Sequence, residues 1–161
     1  MAFGLDIGSH SIKAVELERR GEGFALLAAG IARSPQNGIA SEVESDLVKV
    51  AETIKKLISD CKISSRDVNL ALPESQVFTR VINLPYLTDE EVASAISWQA
   101  EPYIPIPVAE ASIDHQIIAK YEPSGGDPGR VEVLLVAAPK ALIQKYTKVA
   151  GLAGLTVLNI E

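Results

Sequence analysis

The sequence predicts an α/β protein, because short apolar segments with strand-like alternation occur in the same chain as three segments with helical spacing. Three such segments open the chain, at residues 3–7, 12–17 and 24–32, and the polar turns between them indicate a meander of strands. A helix is expected after Ser41, which has the capping-box spacing to Glu44. The first part of the chain therefore predicts the order β-β-β-α-β, with its last strand ending before Pro73.

A second unit is predicted over residues 77–161, after a first unit of residues 1–76. A strand at 77–84 is followed by a helix, whose start is marked by a second capping box from Thr88 to Glu91. Two further strands form a hairpin, a helix follows Pro139, and a last strand returns toward the first unit. Gly151 is expected to end that helix in a left-handed conformation. The pattern is β-α-β-β-α-β, the split βαβ arrangement.

Composition excludes several classes of function. The 161 residues are 47% hydrophobic and 22% charged with a net charge of −6, which predicts a packed core and argues against a nucleic-acid footprint. One cysteine permits no intramolecular disulfide and no multi-cysteine zinc site. No signal peptide or membrane-spanning stretch is apparent, so we expect a cytoplasmic protein that reaches a membrane only through a partner.

The turn after the first strand has the composition of a phosphate site. Gly8 permits a close backbone approach, Ser9 and Ser11 add hydroxyl donors, and Lys13 lies on the same strand face as Ser11. Asp6 ends the first strand, where a carboxylate can hold Mg²⁺ through water. These residues alone leave a plain β-hairpin open, although an aspartate at a strand end expected to be buried is harder to explain without a ligand.

This segment also carries a family resemblance. Asp6-x-Gly8-Ser9-x-x-x-Lys13, placed within two strands, resembles the first phosphate motif of the superfamily of actin, heat-shock chaperone ATPases and sugar kinases. Residues 3–17 resemble more specifically the PilM family, actin-like type IV pilus assembly proteins related to FtsA. Similar matches recur at Ala71-Leu72-Pro73 and within residues 77–85, 87–92 and 101–105, so the resemblance covers essentially the whole chain.

The resemblance implies a more specific fold. It indicates an incomplete actin-like ATPase (ribonuclease H-like) subdomain 1A, with the β-α-β-β-α-β unit as the inserted 1C subdomain. Members of the family are considerably longer, so we expect the chain to be truncated, with a natural short chain left open.

The resemblance also implies a nucleotide site. In an intact protein, the residues that would contact the phosphates of ATP and its Mg²⁺ are Asp6, Gly8, Ser9, His10, Ser11 and Lys13, with Asp6 holding the metal through water. We expect weak or no ATP binding by this chain, because actin-like proteins clamp nucleotide between two lobes. No catalytic residue can be assigned, so the intact protein is expected to be at most a weak ATPase.

A partner site is implied as well. In the PilM family, a groove between subdomains 1A and 1C accepts the N-terminal cytoplasmic tail of PilN, an inner-membrane protein. The expected walls are Val81, Tyr103, Ile104 and Ile106. The alternative left open is that the prolines of this segment only end a helix and lead into the next strand. Other inner-membrane and motor components of the pilus are further candidate partners.

Three functions remain open at this point. A cytoplasmic scaffold of pilus assembly, peripheral to the inner membrane, is favoured over a phosphotransferase of the same superfold, such as a sugar kinase or an acetate-kinase-like enzyme. A third interpretation treats the second unit as an independent interaction module. Trp98 is expected to cover the helix–sheet junction of that unit rather than to anchor a partner.

Overall fold

The structure, a computed structural model, describes residues 2–161, except the side chains of residues 97–99. The chain divides into two compact units. The first comprises the residues up to Pro73 together with Ile143–Glu161, and the second comprises Glu74–Leu142. The predicted order of strands and helices is confirmed throughout.

A five-stranded sheet forms the centre of the first unit. Its elements are β1 (Phe3–Ile7), β2 (Ser11–Arg20), β3 (Gly23–Arg33), α1 (Glu44–Asp60), β4 (Asp67–Ala71), most of α3 (Lys140–Leu152) and β8 (Thr156–Ile160), with a 3₁₀ turn at Gly38–Ala40. The strand order is β3-β2-β1-β4-β8. β1 pairs antiparallel with β2 and parallel with β4, and β4 pairs parallel with β8.

The sheet has one covered face and one exposed face. Ile12, Ala14 and Glu16 of β2 are buried at alternate positions, which is the two-residue period of a strand packed on one side. The apolar stripe of α1 is also buried, as the helical spacing predicts. On the other face Leu26 and Ile31 of β3 are 64% and 68% exposed.

Gly30 permits the close packing of α1 on β3. A Cβ atom at this position would lie 2.1 Å from Sγ of Cys61 and 3.0 Å from Cδ1 of Leu57. A side chain here would displace the side chains of Cys61 and Leu57 at the end of α1, so the glycine allows the close approach of the helix.

Glu16 is a charged residue that occupies an inward position. Its side chain accepts hydrogen bonds from Ser64 N (3.1 Å), Ser64 Oγ (2.9 Å) and Ser65 N (3.0 Å). Burial raises the pKa of Glu16, but these hydrogen bonds outweigh burial and lower the pKa below its usual value of 4.5. The carboxylate thereby attaches the loop that follows α1 to the middle of β2.

Two predicted helix ends are wrong. Ser41 does not cap α1, which begins three residues later behind Val43; instead Ser41 Oγ donates to Asp46 and accepts from Val43 N. At the other end, α3 continues through Gly151, and Gly154 takes the left-handed conformation at φ +78°. In both cases the observed end lies two or three residues away from the predicted one, and local hydrogen bonds close it there.

The second unit is a three-stranded antiparallel sheet with one helix. Its elements are β5 (Phe78–Pro85), α2 (Asp89–Gln99), β6 (Ala111–Tyr121) and β7 (Arg130–Pro139), with 3₁₀ turns at Glu74–Gln76, Glu101–Tyr103 and Val108–Glu110. The strand order is β5-β7-β6. The capping box of Thr88 and Glu91 is present as predicted. The core consists of Ile82, Leu84, Val92, Ile96, Ala100, Ile104, Val131, Val133, Leu135 and Ala137.

The second unit is smaller than predicted. We expected it to extend over residues 77–161, but α3 from Ile143 onward and β8 belong to the first unit. The physical reason is pairing, because β8 adds to β4 in the first sheet and Tyr146 of α3 is buried under that sheet. The expectation for Trp98 concerns a side chain outside the described part of the structure.

Within the described residues, no helix is both long enough and apolar enough to cross a lipid bilayer.

A Glu16→Gln variant tests the role of the buried carboxylate. We expect a loss of about 1–3 kcal/mol at pH 7, because an amide has one acceptor oxygen where three donors converge. The folded-state pKa is lowered, so the stabilisation is present above about pH 4.5 and lost as the pH falls through the folded-state value. The free energy of unfolding, measured in urea, should therefore fall less steeply below pH 4.5 for the variant than for the parent protein. Glu52→Gln, an exposed position on α1, is the control, and equal acid profiles for the Glu16 variant and the parent protein would contradict the role.

Candidate functional site

The turn between β1 and β2 is tight and exposed. Ile7 pairs with Ile12 as the last register pair, and Gly8 N donates to Ser11 O at 3.0 Å to close the turn. A Cβ atom on Gly8 would lie 3.0 Å from Ser11 O, a spacing tighter than ordinary contact. Ser9 and His10 at the tip are exposed. The small residue at Gly8 is therefore required by the closure of the turn.

Ser34 braces this turn from the end of β3. Its Oγ donates to Gly8 O at 2.7 Å and its N–H donates to His10 O at 3.0 Å. The carbonyls of Gly8 and His10 are thus held by Ser34. In residues 2–161, the N–H groups of Ser9 and His10 donate to no protein acceptor, which leaves two adjacent backbone donors for an anion.

Asp6 and Lys13 form the charged pair of the site. They are register partners on β1 and β2, and Lys13 Nζ lies 3.1 Å from Asp6 Oδ2. Their side chains are 45% and 55% exposed, so the expectation that Asp6 is buried is wrong. Asp6 lies at the open face of the sheet because it alternates with the inward residues Leu5 and Ile7. The ammonium and carboxylate are accessible to a phosphate and a hydrated cation.

A depression of about 400 Å³ begins at this pair. It is lined by Gly4, Leu5, Asp6, Lys13, Val15, Asn69, Leu70, Ala71 and Glu161. Among the described side chains no group of three or more His, Cys, Asp or Glu residues is placed to hold a metal, so a cation here would be held by few carboxylates and largely by water. His10 lies beside the turn with its ring Nδ1 2.9 Å from Ser9 Oγ. Its ring therefore contacts the turn rather than any metal-ligand cluster.

Tyr146 supports the site through a hydrogen bond to the last residue of β1, and the sequence analysis missed it. Its hydroxyl donates to the carbonyl of Ile7 at 3.2 Å, across 139 positions of sequence. Burial, together with the negative charge of Asp6, raises the pKa of Tyr146 to about 12. The tyrosine therefore stays protonated as a donor. The sequence showed it only as part of the apolar stripe of α3, and no local signal indicates its long-range partner.

Asp46 anchors the loop that leads from Ser34 to α1. Its carboxylate accepts from Lys49 Nζ (3.0 Å), Asn37 Nδ2 (3.1 Å) and Ser41 Oγ (2.9 Å). The hydrogen bond from Lys49, followed by those from Asn37 and Ser41, lowers the pKa of Asp46. This buried acid was also missed, because its partners lie in an irregular loop.

The four residues predicted to contact a partner all lie in the second unit, with different exposure. Val81 is 49% exposed on the edge strand β5, and Tyr103 and Ile106 are half-buried. Ile104 is 8% exposed and packs in the core, so it offers little surface to a partner. It faces inward because the chain after Tyr103 becomes extended and turns alternate residues to the core.

Ile106 lines an apolar depression of about 270 Å³. The other lining residues are Ser75, Gln76, Val77, Phe78, Pro105, Ala137 and Pro139. Arg80, on the same strand as Phe78, stacks over the Tyr103 ring with its guanidinium carbon 5.5 Å from the ring centroid. The depression and the exposed edge of β5 together form a surface that an extended peptide could contact, which we call the β5 surface.

A Ser34→Ala variant tests the brace under the turn. We expect amide hydrogen exchange at Gly8 to accelerate about fivefold, since one hydrogen bond contributes about 1 kcal/mol to holding the turn closed. Ser94→Ala is the matched control, because Ser94 Oγ also donates to a backbone carbonyl, that of Glu90, but on α2. Unchanged exchange at Gly8 in Ser34→Ala would show that the brace does not hold the turn.

The solved structures that resemble the chain include a PilM structure and an EpsL structure. A PilM chain in a PilM–PilN type IV pilus biogenesis complex is 29% identical, with a TM-score of 0.79 over 99% of this chain and 46% of the PilM chain. The cytoplasmic domain of EpsL, an inner-membrane component of the type II secretion system of Vibrio cholerae, is 13% identical, with a TM-score of 0.57 over 98% of this chain and 55% of that domain. The second likeness concerns the fold alone.

These comparisons confirm the predicted fold class. The chain spans about half the length of the solved PilM chain that it matches. The family model described as type IV pilus assembly protein PilM matches residues 4–161. The chain therefore belongs to the PilM family of type IV pilus assembly proteins.

Proposed function

We propose that this chain acts as a cytoplasmic scaffold of type IV pilus assembly and binds the N-terminal tail of a PilN-type inner-membrane protein. The observation that carries the proposal is the likeness to PilM solved with PilN, at 29% identity and a TM-score of 0.79. The scaffold would lie at the inner membrane through this partner. A phosphotransferase is not favoured, because the family match is to a pilus assembly protein.

The β5 surface supports peptide binding in the second unit. β5 is an edge strand, so its outer N–H and C=O groups are available for pairing with an extended segment. The depression of about 270 Å³ is smaller than a typical ligand pocket of ~300–1,000 Å³, which suits a single apolar side chain of a peptide. Ile106 and Phe78 supply its apolar wall, and Tyr103 is held beside it by Arg80.

Peptide binding can be measured by fluorescence anisotropy with a labelled N-terminal peptide of the cognate PilN. We expect Ile106→Asp to raise the dissociation constant at least tenfold and Tyr103→Ala to raise it by a similar factor, because each change removes apolar contact area at the centre of the surface. Ile118→Asp is the matched control, since Ile118 is 48% exposed on the opposite edge strand β6. Equal affinities for all three variants and the parent protein, with unchanged circular dichroism, would rule out the β5 surface as the peptide site.

We further propose that the β1–β2 turn binds the phosphates of ATP in a full-length chain. The two N–H groups at Ser9 and His10, the hydroxyls of Ser9 and Ser11 and the Lys13 ammonium supply donors on one side of the turn. When bound, Mg²⁺ would neutralise phosphate charge, and Asp6 is the carboxylate that would hold it through water. Lys13 would then exchange its contact with Asp6 for one with a phosphate oxygen.

Calorimetric titration with MgATP tests the turn. We expect no saturable heat at millimolar nucleotide for this 161-residue chain, and measurable binding for a chain extended to the length of the PilM relatives. In the extended chain, Lys13→Ala should weaken binding at least tenfold through loss of a charged donor, whereas Lys56→Ala, an exposed lysine on α1, should not. Tight binding by the 161-residue chain would contradict the need for a second lobe. Binding that is insensitive to Lys13→Ala would contradict the role of the turn.

A further inference from the structure

We propose that a basic depression at the end of the first sheet remote from the β1–β2 turn binds a phosphate group. The depression, of about 420 Å³, is lined by Lys55, Ile58, Ser59, Lys62, Ile63, Arg66, Ala153 and Gly154. Arg66 directly precedes β4, which runs parallel to β1, whereas the turn follows the end of β1. The two sites are therefore separated by the length of a five-residue strand, roughly 17 Å.

Three cations surround this depression without anionic partners. In the described part of the chain, Lys55, Lys62 and Arg66 take part in no ion pair, and no acidic residue lines the depression. Arg66 uses one guanidinium donor, Nη1, on the carbonyl of Ser65 at 3.3 Å. Its other donors have no protein acceptor within the described residues. In a chain of net charge −6, this cluster forms a local site of positive potential.

Helix capping does not account for the cations. The carbonyls at the end of α1 already accept from turn residues, with Cys61 N on Leu57 O (3.0 Å), Lys62 N on Ser59 O (3.1 Å) and Ile63 N on Ile58 O (3.0 Å). The end of α3 is closed in the same way by the N–H groups of Ala153, Gly154 and Leu155. The lysine and arginine side chains are therefore not required as caps.

The local charges favour an anion. Each of the two helix C-termini carries at most about −0.5 of an elementary charge, and their last carbonyls are already hydrogen-bonded. The three side-chain cations that line the depression exceed this negative charge, so a phosphate group would be attracted to them.

The backbone shapes the depression for a ligand. Lys62 adopts φ +56°, a left-handed conformation that is costly for a residue with a side chain and that usually falls to glycine or asparagine at a helix end. The following residue, Ile63, is 4% exposed, so the turn places Lys62 at the rim and Ile63 in the floor. Gly154, at φ +78°, leaves open space where a Cβ would project.

The floor adds an apolar component. Ile58, Ile63 and Ala153 are buried side chains that form the base of the depression, and Ser59 offers a hydroxyl beside the cations. This combination suits a phosphate attached to a carbon framework. Its source is either the headgroup of an anionic phospholipid or a free phosphate ester, and the proposal is independent of the proposed partner and nucleotide functions.

The test uses the whole 161-residue chain and two probes. Amide chemical shifts are followed by NMR during titration with inorganic phosphate, and sedimentation is measured with vesicles of phosphatidylcholine containing 30% phosphatidylglycerol. The depression variant is Lys55→Gln/Lys62→Gln/Arg66→Gln. The control variant, Arg19→Gln/Arg33→Gln/Lys56→Gln, removes three exposed cations elsewhere. Circular dichroism verifies that both variants fold.

We expect phosphate to shift the amides of Lys62, Arg66 and Gly154 saturably, and the depression variant to lose at least tenfold in affinity while the control keeps it. Vesicle binding that is lost only in the depression variant would assign the source as lipid. Phosphate binding without vesicle binding would assign it as a free phosphate ester. If neither probe binds, or if both variants weaken binding equally, the proposal is overturned.

Discussion

The pairing of β1 on both of its edges is the constraint on which the rest of the first unit depends. β1 pairs antiparallel with β2 and parallel with β4, and Phe3, Leu5 and Ile7 are at most 2% exposed. A strand held in this way cannot slip by one residue without turning its apolar side chains to solvent. The last residue, Ile7, therefore fixes where the Gly8–His10 turn emerges, and the Tyr146 hydroxyl holds the same residue from below.

Two buried carboxylates, one on β2 and one on α1, hold the loops at the two ends of this sheet. Asp46 holds the loop that contains Asn37 and Ser41 and that begins at Ser34, the residue that braces the β1–β2 turn. Glu16 holds Ser64 and Ser65, directly before Arg66 at the rim of the basic depression. A buried acid requires several donors, and here the loops supply them, so each acid also orders the loop that it binds. Charged residues placed inside the first unit thus position groups that are exposed at both ends of the sheet.

The two units differ in the chemistry that they offer. The first unit presents backbone donors, cations and one accessible carboxylate at strand and helix ends, which are groups suited to phosphates. The second unit presents an edge strand, an apolar depression and a stacked Arg80–Tyr103 pair, which are groups suited to an extended peptide. The chain belongs to a family of pilus assembly proteins. In the proposed scaffold, one chain would carry both kinds of group.

Hydrophobic periodicity, together with the capping and turn residues of the sequence, determined most of the secondary structure. Every strand and helix was predicted in order, the Thr88–Glu91 cap formed as expected, and the exposed Gly8–His10 turn lies where the small residues indicated. These features depend on neighbours a few residues apart, which is the range over which hydrophobic period and turn chemistry act. The family resemblance was also available from the sequence, because its motifs are contiguous.

Only the tertiary structure decided which distant residues meet. The burial of Ile104 and the assignment of α3 and β8 to the first unit depend on packing against elements far away in sequence. The same holds for Tyr146 on Ile7 and for Lys55 beside Arg66. Local propensity contributes a fraction of a kcal/mol per residue, whereas burial of a whole side chain contributes about 1.5–3 kcal/mol, so packing prevails wherever the two disagree.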